Sequence, residues 1–206
     1  MERAFEKVYG VKEAFQGVSL MGRTDPSILQ EVLNLKSLEW REPEVEKFRE
    51  FYYWYLDEEL QKSRKGKALC PGILPLLSML QKGRDIETGL LTGNWRYSGY
   101  MKLRHFGIDG FFQIGAFADD SRFRKDLVPI AMDRYFNING IRLSKEAVYV
   151  IGDTPLDILG AKPHGVRTVA VATGMHTVDD LLAENPDFLF ENFLDKEKVA
   201  QVFLEK

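Results

Sequence analysis

The stretch Ala147-Val148-Tyr149-Val150-Ile151-Gly152-Asp153-Thr154-Pro155-Leu156-Asp157 decides the fold class. Its first five residues are apolar and three are β-branched, a run suited to a strand buried on both faces. The run stops at Gly152-Asp153. Thr154-x-x-Asp157 then reads as a capping box with Pro155 at the first helical position, so a helix over about 155–163 follows. Capping accounts for Thr154 and Asp157 but leaves Asp153 unexplained. An acid at the end of a buried strand is costly unless it is paired or binds a cation. We therefore expect Asp153 to bind Mg²⁺.

The alternation of strand and helix continues on both sides. Toward the C-terminus come a strand at 168–172, a helix near 177–184 and a short strand at 188–190. Toward the N-terminus come a helix over 126–137, a short strand at 111–115, a helix over 95–106, a strand at 86–91 and a helix over 73–83. This is the pattern of an α/β protein with a Rossmann-like parallel sheet, covered by helices on both faces.

Ligands of open α/β sheets bind outside the carboxyl ends of the strands. Two further polar groups fall there. Thr92-Gly93-Asn94 follows Leu90-Leu91; a hydroxyl at a strand end with free N–H groups beyond it suits an oxyanion or phosphate. Thr92 or Asn94 capping the next helix is the structural alternative. The other group is the charged loop Asp119-Asp120-Ser121-Arg122-Phe123-Arg124-Lys125-Asp126. Such a loop is either simply solvated or brings a cation into the same crevice.

The first third of the chain is helical in character. Ala4, Phe5, Val8 and Tyr9 share a helical spacing, Thr24-Asp25-Pro26 marks a second start, and a third helix runs from Pro43 to about Gln61. The aromatic run Phe51–Tyr55 lies inside that third pattern and reads as core packing rather than as a base-stacking platform. Composition changes at Ser63-Arg64-Lys65-Gly66-Lys67, a short basic segment that we read as a hinge between residues 1–65 and 66–206.

The net charge of −3 gives no electrostatic reason to expect a nucleic-acid partner. A single cysteine, Cys70, forbids an intrachain disulfide and fits a reducing cytosol. The sequence has no apolar stretch near the roughly 20 residues of a membrane span, and its first residues have no signal-peptide core. We expect a cytoplasmic protein with no membrane partner. His105, His164 and His176 lack partners at metal-ligand spacing and receive no role.

Thr92 in Leu-Leu-Thr-Gly-Asn, a basic residue before a helix, and Gly152-Asp153-Thr154-x-x-Asp157 resemble, in this order, the later motifs of the haloacid dehalogenase superfamily. The resemblance covers nearly the whole chain. It implies that Thr92 hydrogen-bonds the transferred phosphoryl group, with Gly93 and Asn94 completing the cradle, and that Asp153 and Asp157 hold Mg²⁺. The basic residue falls at Arg124, with Lys125 as the alternative; the family more often has lysine there. Residues 1–65, with Met21-Gly22-Arg23-Thr24-Asp25, look like the helical cap of the phosphoglycolate-phosphatase-like branch, where Arg23 would contact substrate or serve as a surface arginine.

The implied activity is Mg²⁺-dependent hydrolysis of a small phosphorylated metabolite through an aspartyl-phosphate. Nucleophile and acid/base would both belong to an Asp-x-Asp-Gly-Thr motif ending the first, central strand. The sequence contains no Asp-x-Asp. We accordingly expect the central strand, about 20 residues in all, to be absent through a late start or a shortened chain. Unpaired strand edges, a gap in the core and no turnover should follow. A phosphomutase or dehalogenase of the same superfamily, and a binding or regulatory module that has lost its chemistry, remain as alternatives.

Overall fold

A computed structural model of the chain describes residues 1–62, 68–83 and 86–204. The hinge expected at 63–67, and with it the division at 65/66, lies outside the described residues. Three helices form where the apolar spacing places them. α1 (Glu2–Tyr9) buries Ala4 and Phe5. α2 (Asp25–Leu35) starts at Thr24, whose side chain accepts the Ser27 N–H, and buries Ile28, Leu29, Val32 and Leu33. α3 (Glu42–Gln61) buries Val45, Phe48 and Tyr52. These faces meet in one core, which Trp95 and Ala118 from the following α/β part complete. Of the aromatic run, Tyr52 stacks on Phe48 inside this core, whereas Trp54 is 55% exposed.

The second part follows the expected alternation with shifts at element ends. α4 (Ile73–Leu80) and β1 (Gly89–Leu91) are shorter than their sequence patterns, and α5 (Arg96–His105) matches. The strand expected at 111–115 begins three residues later, as β2 (Ile114–Ala116). Asp109–Phe111 instead form a 3₁₀ turn, in which the N–H groups of Phe111 and Phe112 bond back to Ile108 and Asp109. The Phe111-Phe112 pair is strand-like in composition, but that local turn takes its backbone donors.

α6 (Leu127–Asn139) follows another 3₁₀ turn at Arg124–Asp126. β3 (Tyr149–Gly152) starts two residues late because Ala147 bonds back to Ser144. α7 (Pro155–Ala161), β4 (Arg167–Val171), α8 (Val178–Leu182) and β5 (Phe188–Phe190) follow. A last helix, α9 (Lys196–Leu204), was not anticipated; its polar opening Lys196-Glu197-Lys198 hides the apolar face that buries Val199 and Ala200.

All strand pairs are parallel, as continuous apolar strands joined by helices require. They form two separate ladders among the described residues, β1-β2 and β3-β4-β5. A cavity of about 600 Å³ is lined by residues of both β1 and β3, among them Leu90, Leu91, Val150 and Ile151. Its walls carry Leu77 from α4 and Met132 from α6, and it reaches Asp153. Ile151 is 42% exposed, so β3 is not covered as a central parallel strand would be.

Candidate active site

β1 ends against β2 with the Thr92 N–H on the Ala116 carbonyl (3.1 Å), which fixes Thr92 at the carboxyl edge of the ladder. The Thr92 Oγ1 accepts the Asn94 N–H at 3.2 Å, a local turn that leaves its hydroxyl proton to donate. Beyond Gly93 the N–H groups are already engaged, that of Asn94 by Thr92 itself. The Trp95 N–H bonds Asp25 and the Arg96 N–H bonds Asp119. Neither Thr92 nor Asn94 is the N-cap of α5; that position is Trp95, with no side-chain cap of its own. The Asn94 side chain lies between Asp25 and the Lys102 ammonium.

The segment Gly22–Asp25 ties the strand ends together. The Asp25 N–H bonds the Gly93 carbonyl at 2.7 Å. A Cβ at Gly93 would stand 2.2 Å from the Arg23 carbonyl oxygen, so only glycine permits this approach. Thr24 donates its hydroxyl to the Arg122 carbonyl at 2.5 Å, and the Gly22 carbonyl accepts from Arg124 at 3.3 Å. The Arg23 guanidinium turns away to Glu31 and to the carbonyls of Ser19 and Ser27. Its contribution here is its backbone. Sequence reasoning named Arg23 and passed over Gly22, Thr24 and Asp25, because Thr24-Asp25-Pro26 already had a sufficient explanation as a helix start.

At the end of β3 the capping box forms as read. Thr154 and Asp157 exchange backbone and side-chain hydrogen bonds around Pro155. Asp157 is only 6% exposed; one carboxylate oxygen takes the Thr154 N–H and hydroxyl, the other pairs with Arg124. Arg124 is thus brought to the site, and among the described residues its buried Nε–H has no hydrogen-bond partner. The Lys125 side chain is exposed, while its carbonyl meets His164. Asp153 is half-buried at the mouth of the cavity. Burial and then the neighbouring Asp157 carboxylate raise its pKa; Arg124 and His176 oppose the shift.

Asp153 has the chemistry of a hard-cation ligand, a half-buried carboxylate beside a second one. Among the described residues no group of three or more His, Cys, Asp or Glu gathers for a metal ion. Mg²⁺ is commonly held by one or two carboxylates with several waters, so Asp153 fits, with Asp157 already engaged by Thr154 and Arg124.

A family model for haloacid dehalogenase-like hydrolases matches residues 2–171. The chain belongs to this family. Its hydrolase relatives include pyrophosphatase PpaX of Halalkalibacterium halodurans, 29% identical over 54% of this chain and 51% of that protein. The tyrosine-protein kinase PtkA of Mycobacterium tuberculosis is 32% identical over 54% of this chain and 37% of that protein. The chain thus spans about half the length, or less, of these curated relatives. The crystal structure of a predicted phosphoglycolate phosphatase from Haemophilus somnus superposes with a TM-score of 0.69 at 19% identity, covering 97% of this chain and 88% of that one. That likeness shows the haloacid dehalogenase-like α/β fold. Among the described residues, no helix is long and apolar enough to cross a membrane.

Proposed function

We propose that this chain carries the phosphoryl-binding and metal-binding half of a Mg²⁺-dependent phosphatase for a small phosphorylated metabolite. The observation that carries the reading is the placement of Thr92 just past β1, Arg124 in the loop after β2 and Asp153 just past β3, with the segment Gly22–Asp25 bonded to Gly93, Arg122 and Arg124. The pyrophosphatase and kinase names of the relatives share the handling of a phosphoryl group, which supports the same chemistry.

In this reading Thr92 donates its hydroxyl to a phosphoryl oxygen, and Gly93 lets the turn close against Arg23. Arg124 neutralises developing charge and holds Asp157 in place. Lys125 is left to solvent. Asp153 would hold Mg²⁺, which when bound neutralises charge on the transferred group. Residues 1–65 form a helical cap over a core of residues 66–206, and the cap selects the substrate by its shape. The setting is the cytosol, with no nucleic acid or membrane as partner.

The nucleophile that would form the aspartyl-phosphate is an Asp of an Asp-x-Asp strand, a motif these 206 residues do not contain. The cavity between the β1 and β3 edges has the lining such a strand would need: apolar walls flanked by two parallel ladders. These residues alone therefore lack turnover. The test is a panel of phosphate esters, pyrophosphate included, offered with Mg²⁺ to a chain that carries such a strand. Hydrolysis that needs Mg²⁺ and falls in Asp153→Asn supports the reading. Hydrolysis indifferent to both would refute it and favour a metal-free activity of the family.

A further inference from the structure

Asp25 is 3% exposed, yet it sits 68 residues or more from every residue of the β1 turn that it touches. Its N–H donates to the Gly93 carbonyl at 2.7 Å. One carboxylate oxygen accepts the Trp95 N–H at 2.9 Å, and the other accepts the Asn94 side-chain amide at 3.3 Å. Three consecutive residues after Thr92 are thereby held by one side chain and its own backbone. Asn94 in turn accepts the Lys102 ammonium at 2.8 Å.

The order of these groups leaves the Asn94 amide one orientation. Its oxygen must face the ammonium and its nitrogen must face the carboxylate, since the reverse sets donor against donor and acceptor against acceptor. Buried charges are as a rule paired or hydrogen-bonded. Here a neutral amide stands between them, in the residue two positions beyond the phosphoryl-facing hydroxyl. Burial raises the pKa of Asp25 and lowers that of Lys102, and each group opposes the other's shift.

We propose that Asp25 and Lys102 are positioning residues of the phosphoryl site, which fix the Gly93–Trp95 backbone so that Thr92 keeps its hydroxyl aimed outward from the strand end. This rests on the proposed reading of the Thr92 turn as a phosphoryl cradle. A purely structural account is that Asp25 serves only to satisfy the first N–H groups of α5. That account predicts lost stability with unchanged anion affinity.

The experiment is a titration of the 206-residue chain with inorganic phosphate, followed through the backbone amide resonances of residues 92–95, with unfolding by denaturant measured in parallel. Lys102→Met keeps the side-chain stem and touches no α5 N–H. It should lower the unfolding midpoint only modestly, since the Asn94 oxygen loses its donor, and weaken phosphate binding at least tenfold. Asp25→Asn keeps the acceptor for Trp95 but sets its amide against that of Asn94, and should weaken binding similarly. If Asp25→Asn does not fold, Lys102→Met decides alone. Phosphate affinities within twofold of wild type in the folded variants overturn the positioning role while leaving the cradle intact. A wild-type chain whose residues 92–94 do not respond to phosphate overturns the cradle itself, and the positioning role with it.

Discussion

Arg124 is paired with Asp157, and the same guanidinium reaches the Gly22 carbonyl, so one cation joins the loop after β2, the start of α7 and the segment before α2. Asp157 is buried and already accepts two bonds from Thr154. Breaking one partner of a buried pair leaves the other charge uncompensated, which costs about 3–5 kcal/mol. Arg124→Met should therefore lower the unfolding free energy by about 3 kcal/mol. Lys125→Met should stay within about 0.5 kcal/mol of wild type, as an exposed site does. Denaturant titrations of both variants check this, and equal losses would remove the distinction between the two residues.

Asp153→Asn should weaken Mg²⁺ binding at least tenfold, about 1.4 kcal/mol, because its carboxylate is the one at the cavity mouth not committed to Thr154 and Arg124. Calorimetric titration of the chain with MgCl₂ measures it. Affinity equal to wild type would deny Asp153 its metal role.

Thr92→Val removes a hydroxyl whose internal bond is a long one to Asn94, at 3.2 Å. Its loss should cost stability about 1 kcal/mol or less. In a chain bearing the nucleophile strand, turnover should fall about a hundredfold, the cost of one missing donor to a developing oxyanion. Full activity with reduced stability would make Thr92 a turn residue and nothing more.

Asp120 offers a pH-dependent check away from the site. Burial would raise its pKa, but two bonds from Arg134, each at 2.6 Å, and one from the Phe117 N–H hold it below the ordinary 3.8. A carboxylate with a depressed folded-state pKa adds stability that is fully present above the unfolded value and disappears as pH falls through the folded one. Asp120→Asn should thus be less stable than wild type at neutral pH, and the gap should close as pH drops from 3.8 downward. A gap that stays constant into acid would assign the effect to packing instead.

The parts of the fold that were legible in the sequence were those governed by local pattern. The run before Gly152 named β3, the capping box named α7, and Thr24 named the start of α2, each through residues within one turn of one another. Misplaced ends have a common cause. The 3₁₀ turns at Asp109–Phe111 and Lys145–Ala147 claim Phe111 and Ala147, whose apolar character suits a strand equally well. The candidate site divides in the same way. Asp153 stood out because no local structure explained it. Asp25 did not, since helix initiation explained it fully, and its contacts to Asn94 and Trp95 depend on how the start of α2 meets the turn after β1. Arg23 was named for its charge; its guanidinium meets Glu31, and its carbonyl lies close against Gly93.

The central claim is that these residues form a phosphoryl and Mg²⁺ site completed by a strand lying between β1 and β3. The direct measurement is hydrolysis of an aryl phosphate by the 206-residue chain, with and without an N-terminally fused apolar strand ending in Asp-x-Asp-Gly-Thr. The account predicts Mg²⁺-dependent turnover with the strand and none without it. Clear Mg²⁺-dependent turnover by the 206 residues alone would contradict it.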